Sequence, residues 1–350
     1  MNRRRRRTLA WAAGLAAGMG ASIALTRAAI ERDRRRRDPE LGERLAALPP
    51  EDLGPVVSFD GTLLAVRAAG DGGPSRPTLV FSHGFSLDMT TWHYQWKEFS
   101  AAHRCVLFDH RGHGASGEGA DDDYTLQAMG EDMVAVLDAA VGEGPAVLLG
   151  HSMGGMAILA MAERHPEEFR GRVAGVVFAD TAAAEVLRGA LGGVTARIHA
   201  VVSAPKRARR VQRFLRGGES DLAYAIAKLT NFGPKASPSL VDHVARISGR
   251  APLEVWADGL AGILAMDFRH AAEHVRVPSL VIVGDVDRIT PPASALALKN
   301  ALPDARMVVL KGAGHLAMME RHEQFNRVVR RFLDSEVPAP SPVPATRRRR

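Results

Sequence analysis

The chain has 350 residues, 46% of them apolar, one cysteine and a formal net charge of +7. That length and apolar content allow one large domain or two smaller ones with a packed core, and a single cysteine excludes an internal disulfide framework. The positive charge sits at the ends: eleven arginines against Glu31 and Asp33 give residues 1–37 a net +9, Arg347–Arg350 add +4, and residues 38–346 are left at −6, which argues against a nucleic-acid partner for the body of the chain.

In chain order, five arginines at 3–7 precede an uncharged run of 19 residues, 8–26, rich in Ala and Gly, and charge closes it again at 27–37. As a helix that run would span roughly 28 Å, near the hydrocarbon thickness of a bilayer. Three readings compete: a membrane anchor, which would make the protein membrane-associated, a cleaved signal peptide, which would make it secreted, and an Ala/Gly tail on a cytoplasmic protein. Residues 38–54 read as a linker. Val56–Arg67 reads as a β-hairpin turning at Asp60-Gly61.

From Thr78 apolar strands alternate with helical periods. Thr78–Ser82 runs into His83-Gly84-Phe85, and Arg104–Asp109 runs into His110-Arg111-Gly112-His113. Tyr124–Ala140 has helical period, Ala146–Leu149 leads into Gly150-His151-Ser152-Met153-Gly154, and Val173–Ala179 ends at Asp180. The alternation stops between 181 and 275, where helical pieces (Glu185–Leu191, Ala196–Leu215, Leu222–Leu229) are broken by Gly192-Gly193, Gly217-Gly218 and Gly233-Pro234. It resumes with Ser279–Gly284, Ala293–Ala301, Arg306–Leu310 and Glu320–Leu333, before a Pro- and Arg-rich tail, 336–350, expected to be disordered. This pattern predicts an α/β fold with a mostly parallel sheet covered on both faces and a ligand site at the carboxyl ends of its strands. The core is 55–180 with 276–335, and 181–275 is a helical lid inserted late in the sheet.

The strand–turn–helix around Ser152 places its hydroxyl above the sheet edge, with Gly150 and Gly154 where a Cβ would collide with a neighbour. A serine hydroxyl needs a base, and the base needs an orienting group. His315, in Gly312-Ala313-Gly314-His315 after the last apolar strand, is the candidate base. Asp287, in Gly284-Asp285-Val286-Asp287, is the candidate acid. The backbone N–H groups of Met153 and Phe85 are candidate oxyanion donors, each worth roughly 3–4 kcal/mol; Gly84 lets the loop approach, and His83 shapes it. His113 reads as stabilising its own turn, His151 as pointing away along the elbow, and Asp109 as pairing with Arg111. Cys105 reads as a core residue. Trp92, Tyr94 and Trp96 read as core and pocket-edge packing. His270, His274 and His322 show no ligand spacing with a carboxylate cluster; no metal and no cofactor are expected.

The chain resembles enzymes of the α/β-hydrolase fold over about residues 55–335, on SHGF at 82–85, DHRGHGAS at 109–116, GHSMGG at 150–155, GDVDRITPP at 284–292 and GAGH at 312–315, in the family's order. The resemblance implies Asp287 rather than Asp285 as the acid. It also implies a serine hydrolase of esterase, lipase or lactonase type acting on a small-molecule ester, and the Ala-, Leu- and Ile-rich interval 181–275 points to an apolar or lipid-like acyl or alcohol part. Epoxide hydrolases and haloalkane dehalogenases resemble it too, but they carry an aspartate where this chain has Ser152. Cofactor-free haloperoxidase or perhydrolase activity, and a hydrolase fold that binds without turnover, are the alternatives.

Overall fold

The computed structural model describes residues 27–73, 76–142, 144–186, 221–252 and 254–338. Eight strands form one sheet in the order β1–β2–β4–β3–β5–β6–β7–β8. They are β1 (Glu51–Val57), β2 (Leu63–Ala69), β3 (Thr78–Ser82), β4 (Cys105–Phe108), β5 (Ala146–His151), β6 (Val173–Ala179), β7 (Ser279–Gly284) and β8 (Ala305–Leu310). β1 and β2 are antiparallel to each other and β2 to β4; every other neighbouring pair is parallel. β3 lies between β4 and β5, so the chain crosses to the other half of the sheet after β4, and the crevice at that crossing opens beside the carboxyl ends of β3 and β5.

Alternate residues of the buried strands supply two cores, as the pleat requires. Val80, Val106, Leu148, Val176 and Val281 pack with the helices Leu126–Ala140 and Met153–Arg164. Leu79, Leu107, Val147, Val177 and Leu280 pack with Trp92, Phe325 and Phe332 on the opposite face. The continuous apolar runs were legible because both of their faces are covered. β8 is the edge strand opposite β1, and its Arg306 and Val309 reach solvent.

Several boundaries differ from the sequence reading, among them the last helix, expected over Glu320–Leu333, which is split at Arg321 into Ala317–Glu320 and His322–Ser335. β1 begins at Glu51, inside the segment read as a linker, because Glu51 and Asp52 pair with Ala68 and Arg67 of β2 across an irregular register before Pro55. The turn of this hairpin is wider than a two-residue Asp-Gly turn: it runs from Ser58 to Thr62, with the Ser58 N–H donating to the Thr62 carbonyl at 2.9 Å. The helix expected from Tyr124 starts at Leu126, because Thr125 caps it through the Ala128 N–H and leaves Tyr124 buried in the loop before it.

The β6–β7 connection carries helices Asp221–Asn231, Pro238–Ser248, Leu260–Ala265 and Arg269–Ala272, with a π-helical turn at Val255–Gly259. The expected pieces Ala196–Leu215 and, beyond Val186, Glu185–Leu191 lie outside the described residues. Residues 27–34 are helical and lie against this insertion. The Arg34 guanidinium pairs with Asp221 at 2.9 Å and Asp242 at 3.3 Å and lies 4.6 Å from the centre of the Tyr224 ring, while the Tyr224 hydroxyl donates to Asp33 at 2.7 Å. Asp38 accepts the Ser239 N–H at 3.0 Å near the start of Pro238–Ser248, and Leu45 is buried. The charged residues that follow the 8–26 run and part of the segment read as a linker are therefore seated on the insertion. No helix among the described residues is long and apolar enough to cross a membrane, and the 8–26 run and the tail from 339 lie outside them.

Candidate active site

Ser152 follows the wholly buried β5 and precedes the helix Met153–Arg164, with φ 51° and ψ −116°. A non-glycine residue in that region carries strain that its surroundings must hold. The Ser152 N–H donates to the Ala179 carbonyl at 3.0 Å, and the Thr181 hydroxyl donates to the Ser152 carbonyl at 2.7 Å. A Cβ on Gly150 would stand 2.6 Å from the Gly155 nitrogen, and one on Gly154 would stand 2.3 Å from the Ser82 carbonyl oxygen. Both positions require glycine for close approach, as the sequence indicated. Gly155 has the same constraint, with 2.7 Å to the Thr181 methyl.

His315 Nε2 lies 2.9 Å from Ser152 Oγ, and His315 Nδ1 lies 2.9 Å from Asp287 Oδ2. All three residues are buried. The Asp287 carboxylate also accepts the Ile289 and Thr290 N–H groups at 2.8 and 3.1 Å and the Thr290 hydroxyl at 2.8 Å. A carboxylate surrounded by donors accepts from His315 as well, which puts the imidazole proton on Nδ1 and leaves Nε2 to accept from Ser152. Asp285 turns elsewhere and accepts the Gly312 N–H at 2.6 Å.

Met153 is the first helical residue after Ser152, and Phe85 follows Gly84 in the loop after β3. Neither of their backbone N–H groups donates to a protein acceptor among the described residues. A Cβ on Gly84 would lie 2.5 Å from His151 Nδ1 and 3.3 Å from Ser152 Cβ, which fixes how closely this loop approaches the serine. His83 donates from Nδ1 to the Gly84 carbonyl at 2.8 Å and accepts the His110 N–H at Nε2 (3.0 Å). Burial, together with His110, holds the His83 imidazole well below its usual range and therefore neutral, as this donor–acceptor pattern needs.

The neighbouring residues depart from the sequence reading in three places. His113 accepts the Ser86 N–H at 3.1 Å and donates to the Arg111 carbonyl at 2.9 Å, so it holds the Phe85 loop as well as its own turn; burial pushes it down to about 4. His151 does not point away: its Nε2–H donates to the His315 carbonyl at 2.8 Å. Asp109 does not pair with Arg111. It accepts the Met89 and Ala115 N–H groups at 2.7 and 2.8 Å, and burial, with Asp88 nearby, raises it to about 7. Arg111 instead forks onto Asp132 at 2.7 and 2.6 Å and reaches Asp60 at 2.8 Å. Cys105 and Trp92 are buried in the core.

Two groups escaped the sequence reading. Asp180 was visible only as a strand end. Buried at φ 45°, it accepts the Gly284 N–H at 2.9 Å and the Ala317 N–H at 3.0 Å, tying β7 to the His315 loop. Burial and the Asp287 charge push its carboxyl well above the usual range. The insertion's π-helical turn also reaches the site. The Trp256 ring meets Phe85 edge-on at 5.0 Å, and Gly259 leaves room for the Phe85 ring. No local signal in the sequence marks either contact.

The family model described as "alpha/beta hydrolase fold" matches residues 77–322. This chain belongs to the α/β-hydrolase fold family. Among curated relatives, 3-oxoadipate enol-lactonase 2 of Acinetobacter baylyi is 27% identical over 282 residues, covering 79% of this chain and 97% of that protein. The pimeloyl-[acyl-carrier protein] methyl ester esterase of Aeromonas hydrophila is 25% identical over 263 residues, covering 73% and 95%. A thermophilic esterase structure from Thermogutta terrifontis superposes with a TM-score of 0.66 at 26% identity, over 81% of this chain and 98% of that one. The protein is thus a hydrolase, and its mostly parallel eight-stranded sheet is that of the family.

Proposed function

We propose that this hydrolase cleaves carboxylic esters through an acyl-enzyme on Ser152. The observation that carries the reading is the Ser152–His315–Asp287 chain, 2.9 Å at each link, on a serine held at positive φ. In this mechanism Ser152 Oγ attacks the ester carbonyl carbon as His315 Nε2 takes its proton. Asp287 stabilises the imidazolium through Nδ1–H, and the Phe85 and Met153 N–H groups stabilise the oxyanion. Collapse breaks the bond to the alcohol oxygen, which leaves with the proton from His315. Water then gives a proton to His315 and attacks the acyl carbon; Ser152 leaves and recovers its proton, releasing the acid. His83, Gly84, Gly150 and Gly154 set the loop and elbow. In this reading the β6–β7 insertion is a lid, and the Phe85–Trp256 pair supports an apolar substrate. A cyclic ester fits the same steps with its alcohol still tethered, a second reading favoured by the likeness to an enol-lactonase.

A fluorophosphonate probe reacts at such a serine by forming a P–O bond and expelling fluoride. We expect labelling of Ser152 and hydrolysis of short p-nitrophenyl esters, with Ser152→Ala abolishing the first and lowering kcat roughly 10⁴-fold or more. A folded wild-type chain that stays unlabelled across the pH range overturns the assignment. The 8–26 run is proposed as a membrane anchor, supported by its length and lack of charge.

A further inference from the structure

His315 stands on a loop with an unusual set of holders. The Gly314 N–H donates to Glu320 Oε2 at 2.9 Å, and the Gly233 N–H donates to the same oxygen at 2.9 Å. Gly233 belongs to the turn after Asp221–Asn231, in the β6–β7 insertion. The Leu316 N–H donates to the Asn231 carbonyl of that helix end at 3.0 Å, and Arg288, beside Asp287, donates to its Leu229 carbonyl at 2.9 Å. The two backbones are in direct contact. A Cβ on Gly314 would stand 2.7 Å from the Gly233 nitrogen, and one on Gly233 would stand 2.4 Å from the Gly312 carbonyl oxygen. Asp180 also holds this loop, but from the sheet side at Ala317. On the insertion side Arg288 reaches the Leu229 carbonyl and Arg321 the Gly312 carbonyl, but among the described residues Glu320 is the side chain that binds both the His315 loop and the insertion.

Glu320 is a costly choice for packing alone. It is buried, burial raises its carboxyl above the usual range, and Oε1 has no partner among the described residues. One oxygen nevertheless takes an N–H from each of two glycines belonging to different parts of the fold. We propose that Glu320 is a positioning residue that locks the end of helix Asp221–Asn231 to the His315 loop, so that His315 is aligned on Ser152 only while the insertion is seated. This inference rests on the reading of His315 as the base.

The test uses the full chain with Glu320→Ala, Glu320→Gln and Gly233→Ala, the last keeping the carboxylate but pressing on both the Gly312 carbonyl and Glu320 Oε1, at 2.4 and 2.8 Å, so that the lock is forced open from the insertion side. Ester kinetics are normalised to active sites titrated with a fluorophosphonate. The downfield proton resonance of the His315–Asp287 hydrogen bond is followed in parallel. We expect Glu320→Ala and Gly233→Ala to lower kcat per titrated site about 10- to 100-fold with little change in KM, and to broaden or shift the resonance. Glu320→Gln, which keeps an acceptor oxygen for both N–H groups, restores most of both. A purely structural role would lower the titrated fraction and the melting temperature while leaving kcat per site unchanged, and that overturns the proposal. So does a Glu320→Gln chain no better than Glu320→Ala. If the wild-type chain neither labels nor turns over, the hydrolytic reading falls, and the His315 resonance still decides whether Glu320 positions the ring.

Discussion

His151 and His315 are both buried histidines near Ser152, 5.0 Å apart between ring centres, and only geometry separates their roles. His315 has a carboxylate on one nitrogen and the serine on the other. His151 spends its proton on a backbone carbonyl and holds the loop. His315 was legible because a glycine-flanked histidine after the last apolar strand is a local pattern. The partner of His151 is 164 residues away and leaves no local mark. Asp109 makes the same point for titration. Raised to about 7 in the fold against an ordinary value near 4, it binds its proton more tightly folded than unfolded. Its contribution to stability is therefore fully present below about pH 4 and is lost as pH rises toward 7. Whatever Asp109→Asn costs at pH 5, we expect the variant to gain about 2–3 kcal/mol relative to wild type by pH 8, read from urea unfolding at the two pH values. An offset that does not change with pH would place the carboxyl's titration elsewhere.

The elbow is the element on which the site depends, and the crowding around its glycines sets them apart from a glycine on an open helix face. A Cβ on Gly154 would press on backbone, the Ser82 carbonyl, which cannot rotate away. Gly171, in the helix Pro166–Arg172, has nothing within 4 Å of an added Cβ. Gly154→Ala should cost about 1–3 kcal/mol or more from overpacking and remove fluorophosphonate labelling. Gly171→Ala should stabilise by about 0.4–1 kcal/mol through the unfolded chain. Chemical denaturation of the two variants beside wild type checks the contrast, and equal effects would mean that the elbow is not close-packed. The elbow was readable because strand, Gly-x-Ser-x-Gly and helix are contiguous. The start of β1 at Glu51 was not, because a half-exposed strand with a proline and a bulge is ordered by its partner β2 rather than by its own pattern.

At the scale of the molecule, the basic segment is the largest revision. Residues 27–45 lie on the insertion through Arg34, Asp33 and Asp38, so the 8–26 run ends at a helix attached to the part of the fold next to His315. If that run is an anchor, the full chain should stay with membranes through an alkaline carbonate wash, and a chain beginning at residue 27 should be released with its ester hydrolysis intact. Release of the full chain by the wash would sink the anchor.

The sequence by itself determined the α/β class, the covered parallel strands, the elbow at Ser152, and the loops bearing Phe85, Asp287 and His315. Each of these is written in contiguous residues, as apolar runs, glycines at tight turns and polar side chains just past strand ends. Only the tertiary structure decided that Asp109 is free of Arg111, that His151, Asp180 and Glu320 hold the His315 loop, and that residues 27–45 rest on the insertion. Those facts are hydrogen bonds and ion pairs between segments far apart in the chain. Such contacts follow from which surfaces the packed sheet brings together, and neither hydrophobic period nor motif spacing records them.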